Sequence, residues 1–186
     1  PAGLVNILDV VPPDLHTLLS GGSGLLRDRV DAESRVAADA PPVAFDTKLA
    51  CMGFDFGLFV EELFDKGIIE RCNDDDVRER TGAFCIARKD AELRLIFDTR
   101  RSNMHFIEPP HTELCSAEAL GDLELESDQR AFRRQVDVAV CFYQYALPLD
   151  LRVFFGLPAV FAKFLPWALR RSLKLSDDEE KVSFWV

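Results

Sequence analysis

A change in the spacing of apolar residues is the strongest constraint that this sequence places on its fold. Across residues 54–64 the apolar side chains recur every three or four positions, which predicts a helix, and Gly67 supplies a stop. Downstream, the stretch GAFCIARKDAELRLIFD (82–98) has two short apolar or alternating runs on either side of a basic, polar turn. That arrangement predicts a β-hairpin. A helix followed by a hairpin indicates an α+β domain.

Shorter segments extend the same pattern. Residues 68–71 form another short apolar or alternating run, and residues 116–120 and 135–140 are predicted to be a short helix and a strand. An acidic loop lies between them at 122–128, and a later amphipathic helix has Pro166 in its first turn. We therefore predict an α+β fold with a β-hairpin, a short antiparallel sheet and packing helices.

Composition divides the chain into three parts. Residues 1–45 are rich in Pro, Gly, Ala and Asp, which predicts a poorly structured lead-in with short helices near 14–19 and 25–30. Residues 46–160 contain the periodic segments and form the main domain. Residues 161–186 are expected to form a C-terminal helix and an acidic tail with a short apolar end.

Charge and cysteine content limit the classes of function. The net charge of −10 makes the chain as a whole a poor free-standing nucleic-acid binder, because such binding depends on Lys and Arg neutralising phosphates. The five Cys are spread along the chain without a Cys-x-x-Cys pair, and there are three His. This argues against a disulfide framework and a zinc site, and it suits a reducing intracellular compartment, nuclear or cytoplasmic.

The start of the chain and its apolar stretch near the C-terminus lead to three further expectations. The first residue is Pro1 rather than Met, so we expect the chain to be part of a longer reading frame or a processed product. No signal peptide is predicted at the N-terminus. The apolar stretch 157–169 contains Lys163 and is too short to cross a bilayer, so no membrane partner is predicted.

Two segments contain the residues that could carry chemistry. LRLIFDTRRSN (93–103) places three Arg and Asp98 around a strand end. VDVAVCFYQYALP (136–148) places Asp137 in an otherwise apolar run, where an unpaired carboxylate is costly. Taken separately, the first segment suits a solvated ion-pair cluster and Asp137 suits a strand-end cap or a partner for Arg133 or Arg134.

Taken together, these segments resemble the fingers and first palm segment of reverse transcriptases from retroelements. The pattern R-x-x-x-D-x-R-x-x-N is matched at the end of the hairpin by Arg94, Asp98, Arg100 and Asn103. After a Pro-containing link, Asp-x-x-x-x-aromatic-aromatic is matched from Asp137 to Tyr143. The resemblance covers somewhat more than half of the chain and implies a partial polymerase fingers/palm fold with RNA-directed DNA polymerase ancestry.

The resemblance also implies roles in the palm. Nucleotide addition uses two Mg²⁺ ions about 3.5–4 Å apart, which need hard oxygen ligands. Asp137 would be the catalytic metal ligand, and the carbonyl of Val138 would add a further one. Amides near Val140 and Cys141 would face the triphosphate, and Phe142 would lie under the sugar as a steric gate.

On the fingers, the resemblance implies contacts with nucleotide and template. Arg94, with either Arg88 or Lys89, would bind the phosphates of a deoxynucleoside triphosphate, a task that suits fixed positive charge. The implied roles of Asp98, Arg100 and Asn103 are structural or template-positioning. The expected partners are an RNA or DNA template-primer and a deoxynucleoside triphosphate.

The sequence also departs from the family pattern. A second Asp that many relatives have three residues after the first is replaced by Val140, and no aromatic-x-Asp-Asp turn follows. The magnesium ligand set is therefore incomplete, and we expect a truncated domain without polymerase activity of its own. The missing palm and thumb segments, or a protein partner, could complete it. The alternative is a non-catalytic protein-interaction module with apolar surface around the following side chains: Phe154, Phe155, Phe161, Phe164 and Trp167.

Overall fold

The structure is a computed structural model of the chain. It describes residues 5–20, 24–89, 91–109, 124–130, 132, 134, 145–175, 178 and 180–186. The predicted helix at 116–120 and the predicted strand at 135–140 lie outside the described residues, as does part of the predicted acidic loop.

Helices and strands are mixed along the described chain. The helices are α1 (Pro13–Leu19), α2 (Arg29–Asp39), α3 (Phe54–Asp65), α4 (Arg100–Asn103), α5 (Leu149–Arg152) and α6 (Trp167–Ser172). The strands are β1 (Val5–Asn6), β2 (Glu70–Cys72), β3 (Gly82–Ala87), β4 (Leu93–Asp98), β5 (Tyr145–Ala146), β6 (Val160–Phe161) and β7 (Lys181–Trp185). This mixture confirms the α+β class.

The predicted hairpin is present with the predicted bounds. Strands β3 and β4 pair antiparallel, with Gly82 opposite Asp98 at the base and Ala87 opposite Leu93 near the tip. The base is buried, whereas the tip half of both strands is exposed. The hairpin is therefore a two-stranded ribbon whose free end extends away from the core.

Helix α3 confirms the helical spacing of its apolar residues. Its buried face contributes Phe56, Val60 and Leu63 to the core. The chain leaves the helix through Gly67, whose φ of +67° is a left-handed conformation that favours glycine. The N–H of Gly67 donates to the carbonyl of Phe64 at 2.9 Å, which satisfies one of the carbonyls that a helix end leaves open.

The core sheet is built around the end of the chain. Strand β7 lies between β2 and β6 and pairs antiparallel with both. Val182 and Phe184 on β7 are buried against the apolar face of α3 in one continuous core. The short apolar segment expected at the end of an acidic tail is thus the central strand of the sheet, and burial of its side chains stabilises that position.

A polar network joins this sheet to the turn before the hairpin. Asp74 accepts hydrogen bonds from the guanidinium of Arg80 and from the hydroxyl of Ser183 on β7. Those two contacts lower the pKa of the Asp74 carboxyl, the Ser183 hydrogen bond most. Arg80 also donates to the carbonyl of Leu157, so Asp74 and Arg80 together join their own segment to Leu157 and to Ser183, both far away in sequence.

Residues before position 46 make specific contacts with the rest of the fold. The first predicted helix matches α1, whereas the second begins four residues later than expected, at Arg29, where the Asp28 side chain caps its first N–H groups. Ala32 of this helix is buried. The N–H of Ala44 donates to a carboxylate oxygen of Asp98 at 2.8 Å. The division of the chain into three domains stays a prediction.

The five aromatic side chains of the apolar surface expected near the C-terminus differ in their burial. Phe154 is buried, and Phe155, Phe161 and Phe164 are partly buried. Trp167 alone of the five is exposed, at 71%, and the guanidinium of Arg171 lies 5.3 Å from its ring centroid. Exposure is therefore confirmed for Trp167 alone of these five residues, and an interaction surface for a partner stays a prediction.

The structure also bears on membrane crossing. Among the residues that it describes, no helix combines the length and the apolar character needed to cross a bilayer.

Candidate functional site

The two faces of the β3–β4 ribbon differ in their surroundings. Residues directly opposite one another on paired strands share a face, and successive residues alternate between faces. Leu95 and Phe97 pack against the core, so their face points inward. The opposite face therefore carries Ile96 and the cross-strand pair of Ile86 and Arg94.

The outward face ends in an open basic pocket. It has a volume of about 440 Å³ and is lined by Ile86, Ala87, Arg88, Lys89, Arg94 and Ile96. The structure thus brings together all three cations predicted to bind phosphates. Arg88 forms an ion pair of 3.7 Å with Glu92, the acidic residue beside the pocket. The arrangement can bind an anionic group through its positively charged side chains.

At the base of the hairpin, the Asp98 carboxylate is fully engaged. Its two oxygens accept hydrogen bonds from Nε and Nη2 of Arg100, both at 2.8 Å, and from the backbone N–H of Ala44 at 2.8 Å. The Asp98 side chain is 6% exposed, whereas the Arg100 side chain is largely open to solvent. The Arg100 hydrogen bond is the main cause that holds the pKa of Asp98 well below its usual range.

This geometry limits what Asp98 can do. A carboxylate whose oxygens are occupied by Arg100 and a backbone N–H is poorly placed to act as a base or a metal ligand. Its contacts join β4 to the segment around Ala44, and Arg100 also donates to the carbonyl of Pro42 at 3.2 Å. The contacts are therefore structural in character, and a template-positioning role for Arg100 stays a prediction.

Asn103 lies on the far side of this motif, at the end of α4. Its backbone N–H donates to the carbonyl of Thr99 at 2.8 Å. Its side chain lines a second pocket, with Arg27, Arg35 and Arg100 among the other residues. Sequence reasoning did not find this pocket, since it assigned no role to residues 1–45.

A buried charged cluster was also missed. Glu79 is 8% exposed and accepts a hydrogen bond from Nε of Arg101 at 3.1 Å. Nε2 of His105 lies 3.5 Å from the other Glu79 oxygen, and the His105 ring packs on Phe154 with centroids 4.9 Å apart. Arg101, predicted to belong to a solvated ion-pair cluster, is instead two-thirds buried beside Glu79. No local signal in the sequence links these positions.

The palm residues predicted from the resemblance all lie outside the described residues: Asp137, Val138, Val140, Cys141 and Phe142. Within the part of the chain that the structure describes, no group of three or more His, Cys, Asp or Glu side chains could hold a metal ion. The magnesium site at Asp137 therefore stays a prediction.

Comparisons with known proteins neither support nor contradict the resemblance to reverse transcriptases. No protein-family model, curated protein or solved structure matches the chain. The likeness to reverse transcriptases rests on the two sequence motifs and their order.

Proposed function

We propose that this chain is the fingers and first palm segment of a polymerase of the reverse-transcriptase type, and that the hairpin tip binds the triphosphate of a deoxynucleotide. The observation that supports this most is the convergence of Arg88, Lys89 and Arg94 on one pocket. A triphosphate requires several positive groups at once, and guanidinium groups can bind its oxygens in pairs.

The order of the parts gives further support. Arg94 and Asp98 lie on one strand, four residues and roughly 13 Å apart at the usual rise of a strand. The cationic tip is therefore held at a set distance from the Asp98–Arg100 ion pair. In the proposed polymerase the tip would contact nucleotide, and the base would lie toward the template.

Under this proposal, the palm residues have the roles that the resemblance to reverse transcriptases implies for them. Asp137 would be the metal ligand, Phe142 the steric gate, and Mg²⁺ would supply the charge that assists phosphoryl transfer. Template-primer would be the second substrate. The described Cys51, Cys72 and Cys85 are free thiols, which accords with a reducing compartment, nuclear or cytoplasmic, for such a protein.

Replacing Arg94 by alanine is expected to weaken triphosphate binding about tenfold. A hydrogen bond to a charged group contributes roughly 1.5–3 kcal/mol, and 1.4 kcal/mol is a factor of ten in affinity. Binding of a fluorescent deoxynucleoside triphosphate is measured by anisotropy at low salt. The matched control is Lys66→Ala, which removes the same charge from an exposed position directly after α3.

Equal affinities of the wild type and Arg94→Ala would exclude the hairpin tip as the triphosphate site. An equal loss in Lys66→Ala would indicate that net charge, rather than the pocket, determines binding. A salt-dependent interaction with a primer–template duplex would separate the polymerase proposal from the alternative, a non-catalytic interaction module, which predicts none.

Primer extension tests the catalytic half of the proposal. The sequence holds no aromatic-x-Asp-Asp turn, so Asp137 lacks the carboxylate partners that two-metal catalysis uses. We expect no extension of a primer by this chain with Mg²⁺. Robust incorporation that disappears in Asp137→Ala would overturn the expected inactivity while supporting the role of Asp137.

A further inference from the structure

The pocket near Asn103 lies between α2 and the turn that follows α4. Its volume is about 540 Å³, within the range of pockets that hold small ligands. It is lined by Arg27, Arg35, Asp39, Arg100, Asn103, Met104, Phe106, Ile107, Glu108 and Pro109. It shares no residue with the pocket at the hairpin tip. Three guanidinium groups and an apolar wall therefore meet at a second site.

Arg27 is the most buried of the three arginines, with 19% of its side chain exposed. Its backbone is fixed, because its N–H donates to the carbonyl of His105 at 2.9 Å. The neighbouring Leu26 and Phe106 form a β-bridge, and the N–H of Ile107 donates to the carbonyl of Leu25 at 2.7 Å. The side chain of Arg27 thus projects from a segment that is held on both sides.

The Nε–H of Arg27 is a buried donor. Within the described part of the chain it has no hydrogen-bond partner. Its nearest acidic partner, Asp31, lies 3.9 Å from Nη1, which is beyond hydrogen-bond distance. An unsatisfied buried donor costs about 1–3 kcal/mol, so the described chain does not complete the contacts of this guanidinium. Because Nε is covered, a ligand in the pocket would contact Arg27 through its Nη groups.

The other two arginines keep donors available. Arg35 uses Nε to bind Asp31 at 3.0 Å, and Arg100 uses Nε and Nη2 to bind Asp98. Each guanidinium has five N–H donors, so both retain N–H groups that a further acceptor can engage. Several such donors around one space suit an oxyanion with three or more oxygens, of which phosphate is the common biological case.

The remaining lining residues further restrict the chemical class of the ligand. Asp39 and Glu108 also line the pocket and would repel a bare anion, but carboxylates accept hydrogen bonds from hydroxyl or amino groups. Phe106 and Ile107 offer an apolar surface to a ring. A ligand that satisfies all three sets of groups carries a phosphate, several hydroxyls and a flat apolar part.

We infer that this pocket binds a small phosphate ester of the nucleoside monophosphate class, with Arg27 as the buried phosphate ligand. Arg35 and Arg100 contact the same phosphate from the solvent side. Asp39 and Glu108 accept hydrogen bonds from the hydroxyl groups. The site goes beyond the proposed triphosphate site and does not depend on it.

Calorimetric titration of the whole chain tests this inference with three probes. Adenosine monophosphate is expected to bind, inorganic phosphate to bind at least fivefold more weakly, and adenosine to show no measurable binding. Arg27→Gln is expected to weaken adenosine monophosphate binding at least tenfold. The matched control, Arg29→Gln, removes the same charge from an exposed side chain two residues away and is expected to change affinity less than twofold.

Each contrary result overturns a defined part of the inference. No binding of adenosine monophosphate, or equal affinity in Arg27→Gln, would overturn the site itself. Tighter binding of a single-stranded oligonucleotide than of the monophosphate, lost in Arg27→Gln, would assign the phosphate to nucleic acid instead. If Arg27→Gln does not fold, as judged by circular dichroism, the half-exposed Arg35 replaces it: Arg35→Gln must weaken binding at least threefold for the inference to stand.

Discussion

Gly57→Ala is expected to destabilise the protein by about 3 kcal/mol, the upper end of the usual cost of overpacking a core. Gly57 is the fourth residue of α3, where alanine would ordinarily be the better helix former by roughly 1 kcal/mol. Here the helix passes directly over the backbone at Phe164. A Cβ atom on Gly57 would lie 1.8 Å from the Phe164 carbonyl oxygen and 2.7 Å from its carbon.

The clash cannot be relieved by rotating a side chain. The atoms in the way belong to the backbone at Phe164 and to the Cα of Leu165, which is 3.3 Å from the added Cβ. Leu165 is itself buried, and its N–H donates to the carbonyl of Ala162 at 3.0 Å. Relief therefore requires α3 to move away from a packed segment, which would open the core on both sides.

Urea denaturation followed by far-ultraviolet circular dichroism measures the effect. The matched control is Gly53→Ala at the start of the same helix, where nothing lies within 4 Å of an added Cβ. Its expected cost is below about 1 kcal/mol, because only the capping preference of that position changes. A stable Gly57→Ala variant would mean that α3 does not pack against the 162–165 segment as described.

Local patterns were sufficient to predict the hairpin and α3. Alternation over 82–98 predicted both strands to the residue, since cross-strand pairing across a short turn depends on neighbours in sequence. The helical spacing from Phe54 onward needed only the period of its apolar residues. The same locality explains why the cations at the hairpin tip were found together.

Contacts between segments far apart in sequence could not be predicted from the sequence. Strand β7 pairs with Glu70 to Cys72, more than a hundred residues earlier, and five residues of mixed character do not reveal a central strand. The pocket near Asn103 could not be predicted either, because Arg27 and Arg35 come from a segment without a recognisable motif. Glu79, Arg101 and His105 likewise meet only after folding.

Asp98→Ala is expected to cost about 2 kcal/mol of stability at pH 7, the second largest effect. The Ala44 N–H would lose its acceptor, which costs roughly 1–3 kcal/mol for a buried donor. Arg100 would lose its partner as well, but its side chain is largely exposed and water would solvate it, so that loss adds less. The control is Glu62→Ala, which breaks an exposed ion pair with Lys66 and is expected to cost below about 1 kcal/mol.

The contribution of Asp98 also has a defined pH dependence. Its pKa is lower in the folded protein than in the unfolded chain, where an Asp titrates near about 3.9. At pH values between the folded and the unfolded pKa, the folded state therefore binds fewer protons than the unfolded chain. The stabilisation by the Asp98 carboxylate is complete above about pH 5 and declines as the pH falls further. Asp74, whose pKa is also lowered, adds a dependence of the same sign.

Urea denaturation of the wild type and Asp98→Asn at pH 7 and pH 3 separates the two carboxyl groups. Asp74 is unchanged in both proteins, so its contribution cancels in the difference between their free energies of unfolding. The difference is expected to be largest at pH 7 and to shrink at pH 3. At pH 3 Asp98 takes up a proton in the unfolded chain but not in the folded protein, which lowers the free energy of unfolding of the wild type and leaves that of the neutral variant unchanged. A difference that stays constant between the two pH values would show that the charge of Asp98 does not stabilise the base of the hairpin, and that its hydrogen-bond geometry alone does.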